Sequence, residues 1–210
     1  NWRCGSGTFR MNVALAELPR FSALPEPGDH LTAGIIMAPS IAYMDRAYRD
    51  AVDFGWSREP IIEMLIPSTL DDSLAPSGQH VASLFCQHVA PALAGGRNWD
   101  DHRDEVADLM IATVDRFAPG FKASVLGRMA LTPLDLEHGV GDGLHLLHLA
   151  LDLRPLLEEE ARHRRVARAR LLDEPRAERG RLGECGVAED AVVHDLGHQQ
   201  LVVVPEPGDE

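Results

Sequence analysis

Two hydrophobic periods run through the first part of the chain. Thr8 to Leu15 (TFRMNVAL) is a β-compatible run closed by Pro19, and Leu31 to Ala38 (LTAGIIMA) is a second, bounded by Gly28 and Pro39. Ser40 then stands at an N-cap position. Ile41, Met44, Ala47, Tyr48, Ala51 and Val52 follow at helical spacing, with Gly55 as a natural stop. Pro60 precedes a strand predicted at Ile61 to Ile66, and His80 to Val89 (HVASLFCQHV) is another, ended by Pro91; Ser68 to Gly78 between them has turn chemistry. The best helix opens at Trp99-Asp100-Asp101, whose acidic first turn suits the helix dipole. Val106, Leu109, Met110, Thr113, Val114 and Phe117 make its apolar stripe, and Pro119-Gly120 terminates it. Ser124 to Leu131 returns as a strand. Strands separated by long helices, with some strand pairs joined by turns, predict an α/β (α+β) domain with a mixed, largely antiparallel sheet and packed helices.

The pattern changes in the last third of the 210 residues. All eleven aromatic residues lie between Trp2 and Phe121, so the usual core anchors are missing from the last 89 positions. Isoleucine ends at Ile111, asparagine at Asn98, methionine at Met129, serine at Ser124 and threonine at Thr132. From Pro133 to Glu210 every residue except Cys185 can be encoded by a codon that begins with G or C. A shifted or opposite-strand frame of a GC-rich gene produces that bias, so the tail is expected to be out-of-frame or antisense translation joined to a genuine coding segment. A natural low-complexity tail is the alternative. The expected division is a domain at 1–137 and an irregular, disordered or helical tail at 138–210. Within that tail Leu144 to Leu172 is compatible with a helix broken at Pro155.

Charge narrows the function. Thirty-three Asp and Glu against 20 Lys and Arg give a net −13, the wrong sign for neutralising phosphates, so nucleic acid is demoted as a partner. No apolar run approaches the roughly 18 to 20 residues that span a bilayer, and no signal-peptide layout opens the chain, so a cytoplasmic protein is expected. Three separated cysteines (Cys4, Cys86, Cys185) indicate neither a disulfide framework nor a paired-cysteine metal site.

The motifs that could carry chemistry are weak. Gly5-Ser6-Gly7 and Gly139-Val140-Gly141-Asp142-Gly143 do not complete a dinucleotide fingerprint and read as turns. His194 with His198 lack the glutamate and the helix of a zinc site, and His145 with His148 are explained by the composition of the tail. Asp100, Asp101, His102, Asp104, Glu105 and Asp108 are better explained by helix capping than by a metal. Cys86 and His88 lie two apart on one predicted strand, the minimum for a thiolate–imidazole pair, although a buried structural cysteine is the commoner case. Arg162 to Arg170 beside Glu158 to Glu160 reads as a solvated helix. No catalytic, cofactor-binding or metal residue is assigned on this basis.

Longer stretches of running text are more specific. SGTFRMNVAL at Ser6 to Leu15, Leu31 to Asp50, WSREPIIEMLIPSTLDDSL at Trp56 to Leu74, His80 to Pro91, Asp108 to Phe121 and GRMALTPLDLE at Gly127 to Glu137 occur in order. Together they resemble the phytoene dehydrogenase-related FAD-dependent oxidoreductases, and within them a branch named for a pyridine nucleotide-disulfide oxidoreductase domain. The resemblance covers about residues 1–137 and falls within the substrate domain of that family. It implies a parent enzyme that moves hydride from a hydrophobic substrate to flavin, with FAD as cofactor. The apolar strands at 31–38, 61–66 and 81–89 would then wall the substrate pocket. Neither flavin-binding segment of the family is found, so the chain is expected to be a fragment, inactive as written and poorly soluble through exposed strand edges. Two other readings stay open. One is a non-catalytic protein that binds a hydrophobic ligand or a partner, and the other is a metal- or thiol-dependent enzyme using Cys86, His88 or the tail histidines.

Overall fold

The computed structural model describes residues 7–140, 192–195 and 200–204. Its elements in chain order are β1 (Thr8–Leu15), β2 (Gly34–Met37), α1 (Ile41–Phe54), β3 (Trp56–Leu65), β4 (His80–Val89), α2 (Trp99–Phe117), α3 (Phe121–Ser124), β5 (Val125–Leu131), α4 (Pro133–Val140), β6 (Val192–Asp195) and β7 (Gln200–Val203). The strands form one sheet in the order β5-β1-β4-β3-β2-β7-β6. All pairings are antiparallel except β2 with β7, which is parallel. The expected mixed, largely antiparallel sheet with packed helices is what forms.

Alternation along the strands splits the sheet into two faces. Phe9, Met11, Val13 and Leu15 of β1 point to one side, where Ile62, Met64, Leu84 and Cys86 of their neighbours join them. α2 closes that side with Trp99 at its start and Val106, Met110, Val114 and Phe117 of the stripe read from the sequence, whose Thr113 is also buried and whose Leu109 is partly buried. Asn98 caps the helix, its side-chain oxygen accepting from the Asp101 N–H at 2.8 Å. This layer holds most of the buried apolar surface of the described residues.

α1 lies on the other side. Its predicted cap is formed, with the Ser40 hydroxyl oxygen accepting from the Tyr43 N–H at 3.1 Å, and Gly55 ends it at φ 110°. A side chain at Gly55 would be strained by that φ, and its Cβ would stand 2.6 Å from a Leu93 methyl. The buried face of α1 differs from the sequence expectation. Tyr43, Ala47 and Ala51 face the sheet, packing near Ile61, Ala38 and Ile36, and the Tyr43 hydroxyl donates to the Pro60 carbonyl at 2.9 Å. Ile41, Met44, Tyr48 and Val52 are turned outward, with Ile41 86% and Val52 66% exposed. The helix carries apolar residues around much of its circumference, so periodicity alone did not choose the face.

Three strand boundaries differ as well. Residues Asp29–Thr32 wind into a 3₁₀ turn, which shortens the expected 31–38 strand to Gly34–Met37. β3 begins at Trp56 and passes through Pro60 at a register shift, where a residue without an N–H is tolerated. Residues 138–210, expected to be irregular or helical, contribute β6 and β7. β7 is templated by the free edge of β2, and the Val204 N–H donates to the Ile36 carbonyl at 3.0 Å. The helix expected at Leu144 to Leu172, the pair His145/His148, and the Arg162 to Arg170 run with Glu158 to Glu160 lie outside the described residues, as do Cys4, Cys185 and His198.

Candidate functional site

The half-open face of the sheet is the part of the described structure with a mixed polar and apolar surface. Register places its side chains in rows. Leu131, Arg10, Phe85 and Glu63 follow one another across β5, β1, β4 and β3, and Met129, Asn12, Ser83 and Leu65 make the next row. α1 covers the β2–β3 end of this face, while Arg10, Asn12, Ser83, Phe85, Met129 and Leu131 remain half-buried. The Arg10 guanidinium lies over the Phe85 ring, 5.7 Å from its centroid, and donates to the Ser83 hydroxyl at 3.0 Å. Gln87 donates to the Glu63 carboxylate at 3.4 Å. A depression of about 80 Å³ opens among Arg10, Met11, Asn12 and Leu131. The three apolar strands expected to wall a pocket are adjacent in the sheet, in the order β4-β3-β2.

One end of the sheet is closed by aromatic packing. Trp99 contacts Phe9 and Trp56 at centroid distances of 6.0 and 5.7 Å, and its indole N–H donates to the Ala90 carbonyl at 3.0 Å. Arg97 lies over Phe54 and Trp56 and donates to the Phe54 carbonyl. These contacts tie the exit of α1 to the entry of α2.

The candidate cysteine–histidine pair is not formed. Cys86 is buried on the α2 side, where burial pushes its thiol up to about 12, far from a thiolate at neutral pH. His88 has φ 61°, a left-handed conformation that interrupts the alternation, and its ring meets Tyr48 of α1 at 5.5 Å on the opposite side. The acidic run at the start of α2 is consumed by pairing. Asp100 meets Arg103 at 2.9 Å, His102 meets Glu105 at 2.8 Å, and Arg128 holds both Asp104 and Asp108. Among the described residues no three His, Cys, Asp or Glu side chains are grouped to hold a metal. Gly139 and Val140 close α4, Gly7 precedes β1, and the backbone of His194 lies in β6.

Two histidines missed by the sequence reading stand out, His30 buried and His80 half-buried. The His30 ring sits beside Phe21 in a crevice with Leu24, Ile35 and Val204, and its Nε2 has no partner there. Burial lowers its pKa, against the opposing charge of Asp29. His80 is lowered by burial too, and its Nδ1 lies 3.4 Å from the Ser68 hydroxyl. That hydroxyl accepts from the Val81 N–H at 3.0 Å, so it serves the start of β4. At the far end of β5, burial alone would raise the Asp135 carboxyl, but the Arg103 guanidinium and the Thr132 N–H and hydroxyl together hold it below the usual range.

Comparison with known proteins gives a consistent name. No protein-family model matches the chain. It is 41% identical over 159 residues to the rat protein named pyridine nucleotide-disulfide oxidoreductase domain-containing protein 2, covering 72% of this chain. It is 42% identical over 139 residues to the mouse protein of the same name, covering 63% of this chain. The chain spans only about a quarter of the length of these curated relatives, 27% and 24% respectively. These similarities support the family name pyridine nucleotide-disulfide oxidoreductase domain-containing protein 2 for the matched part of the chain, and with it an oxidoreductase-related family.

Proposed function

We propose that residues 1–137 are the substrate-binding part of an FAD-dependent oxidoreductase of the phytoene desaturase and amine oxidase class. The observation that carries this reading is the half-open face of the sheet. A platform of Phe85, Met129, Leu131 and Leu65 fits an apolar molecule, and the closed side of the sheet gives it a rigid backing. The resemblance implies a parent enzyme in which such a molecule gives hydride to a flavin, and an apolar platform suits that substrate.

The described residues do not fit the flavin's own phosphates. β2 runs into α1 through Ala38-Pro39-Ser40 with no glycine, and the Ser40 hydroxyl is already engaged with the first-turn N–H of Tyr43. The role of these residues is therefore to bind an apolar substrate, hold its orientation and keep water from it. The resemblance assigns the flavin's phosphates to family segments other than the described ones.

The test is an exchange. Residues 8–131 replace their aligned counterpart in the rat relative, and the chimera is purified with its flavin spectrum recorded during titration with 1-decanol. The expected result is bound flavin whose spectrum responds saturably to the alcohol. A chimera that folds cooperatively but carries no flavin, or whose flavin ignores the ligand, overturns the reading.

A further inference from the structure

We propose that Arg10 is an anion-recognising residue of the half-open face, and that the molecule bound there is an amphipathic carboxylate. This inference rests on the substrate-platform reading above and adds the chemical class of the substrate.

The argument begins with how the arginines are neutralised. Arg46, Arg49, Arg58, Arg103, Arg116 and Arg128 each have a carboxylate within ion-pair distance. Arg97 is spent on backbone carbonyls, and Arg20, which has no carboxylate within ion-pair distance among the described residues, is exposed to water. Arg10 is half-buried, and among the described residues no carboxylate lies within ion-pair distance of it. In a chain with 33 acidic residues, an acid-free guanidinium held partly out of water is a costly arrangement. Its nearest acid in the row is Glu63, two strands away at about 10 Å by strand spacing and engaged by Gln87.

The geometry holds the cation ready. One nitrogen of the guanidinium donates to Ser83 at 3.0 Å and its central carbon lies over Phe85, which fixes the head while leaving other N–H donors without a carboxylate. The depression of about 80 Å³ beside it is several times the ~10–15 Å³ a water requires, and Asn12 adds an amide to its lining. Phe85 and Leu131 flank Arg10 on the two neighbouring strands, and Met129 lies in the next row. A carboxylate on Arg10 therefore places an attached apolar chain across those three side chains, a head and a tail recognised by adjacent parts of one surface.

The experiment compares two probes of equal chain length, sodium decanoate and 1-decanol, binding to the purified 210-residue chain by calorimetry. Decanoate is expected to bind about tenfold tighter than decanol, the loss of one charge-assisted contact being of that order. Arg10→Met removes the preference, leaving decanoate no tighter than decanol, and Arg10→Lys keeps part of it. Thermal melting of each variant confirms that it folds. Equal affinities for the two probes, or a preference that survives Arg10→Met, overturn the anion site while leaving the apolar platform intact. Binding of neither probe overturns both.

Discussion

On the α2 side of the sheet every strand position from Phe9 to Leu15 that points inward is covered by a helix stripe, and the one cysteine there is inert. On the other side the intervening positions carry Arg10, Asn12, Ser83 and Gln87 among Phe85, Met129 and Leu131, and α1 covers only one end. The same strands thus serve a packed core on one face and a surface able to receive a molecule on the other. The difference teaches that the chemistry of this domain is written in the alternate positions of its strands, while no cluster of catalytic side chains is found among the described residues.

Substitutions that treat the two faces alike test that contrast. Phe117→Ala on the packed side should cost about 3–5 kcal/mol, read from chemical denaturation, because the cavity it leaves is fully enclosed. Met129→Ala on the open side should cost under about 1 kcal/mol yet weaken decanol binding. Equal costs would erase the distinction. Gly55→Ala, at the corner joining α1 to the aromatic end, should cost about 1–2 kcal/mol from the positive φ alone, with Leu93 forced to move in addition.

A smaller effect is expected from Asp135→Asn, about 1 to 2 kcal/mol at neutral pH through the lost Arg103 and Thr132 bonds. Because the folded carboxyl is held low, its contribution is present above about pH 4 and vanishes as pH falls through the folded value. Denaturation curves of the two proteins should converge in acid. His30 works in a different window. Its folded pKa is lowered, so it makes stability pH-dependent only where the unfolded chain is protonated, and stability declines as pH drops below about 6.5, where the unfolded chain takes up the proton first. His30→Phe should flatten that decline. The smallest change is expected for Val52→Lys on the outward side of α1, within about 0.5 kcal/mol by melting.

Much of this was legible in the sequence because local signals agreed with the tertiary outcome. Thr8–Leu15 and His80–Val89 were bounded by turn residues and formed at those limits, and Ser40, Gly55 and the α2 stripe behaved as their chemistry requires. The misreadings have physical causes. α1 has apolar residues on two sides, so its contact with β3 rather than its periodicity selected Tyr43, Ala47 and Ala51. Cys86 and His88 are two apart, but a left-handed backbone at His88 turns its side chain to the other face. β7 formed because an apolar segment met an unpaired strand edge, a long-range event invisible to local pattern. Arg10 escaped notice as a site because what distinguishes it is half-burial without an acidic partner, on the face that carries Phe85 and Leu131, and that is a property of the folded sheet.

The six methionines offer the most direct test of the two-faced account, since their methyl NMR signals report both sides of the sheet at once. Met11, Met37, Met64 and Met110 belong to the packed side, Met129 lies on the open face, and Met44 is on the outward side of α1. Titration with 1-decanol should shift the Met129 methyl saturably and leave Met11, Met37, Met64 and Met110 in place. A response at the packed methionines, at Met44 alone, or at none of them would contradict the assignment of the open face as the substrate platform.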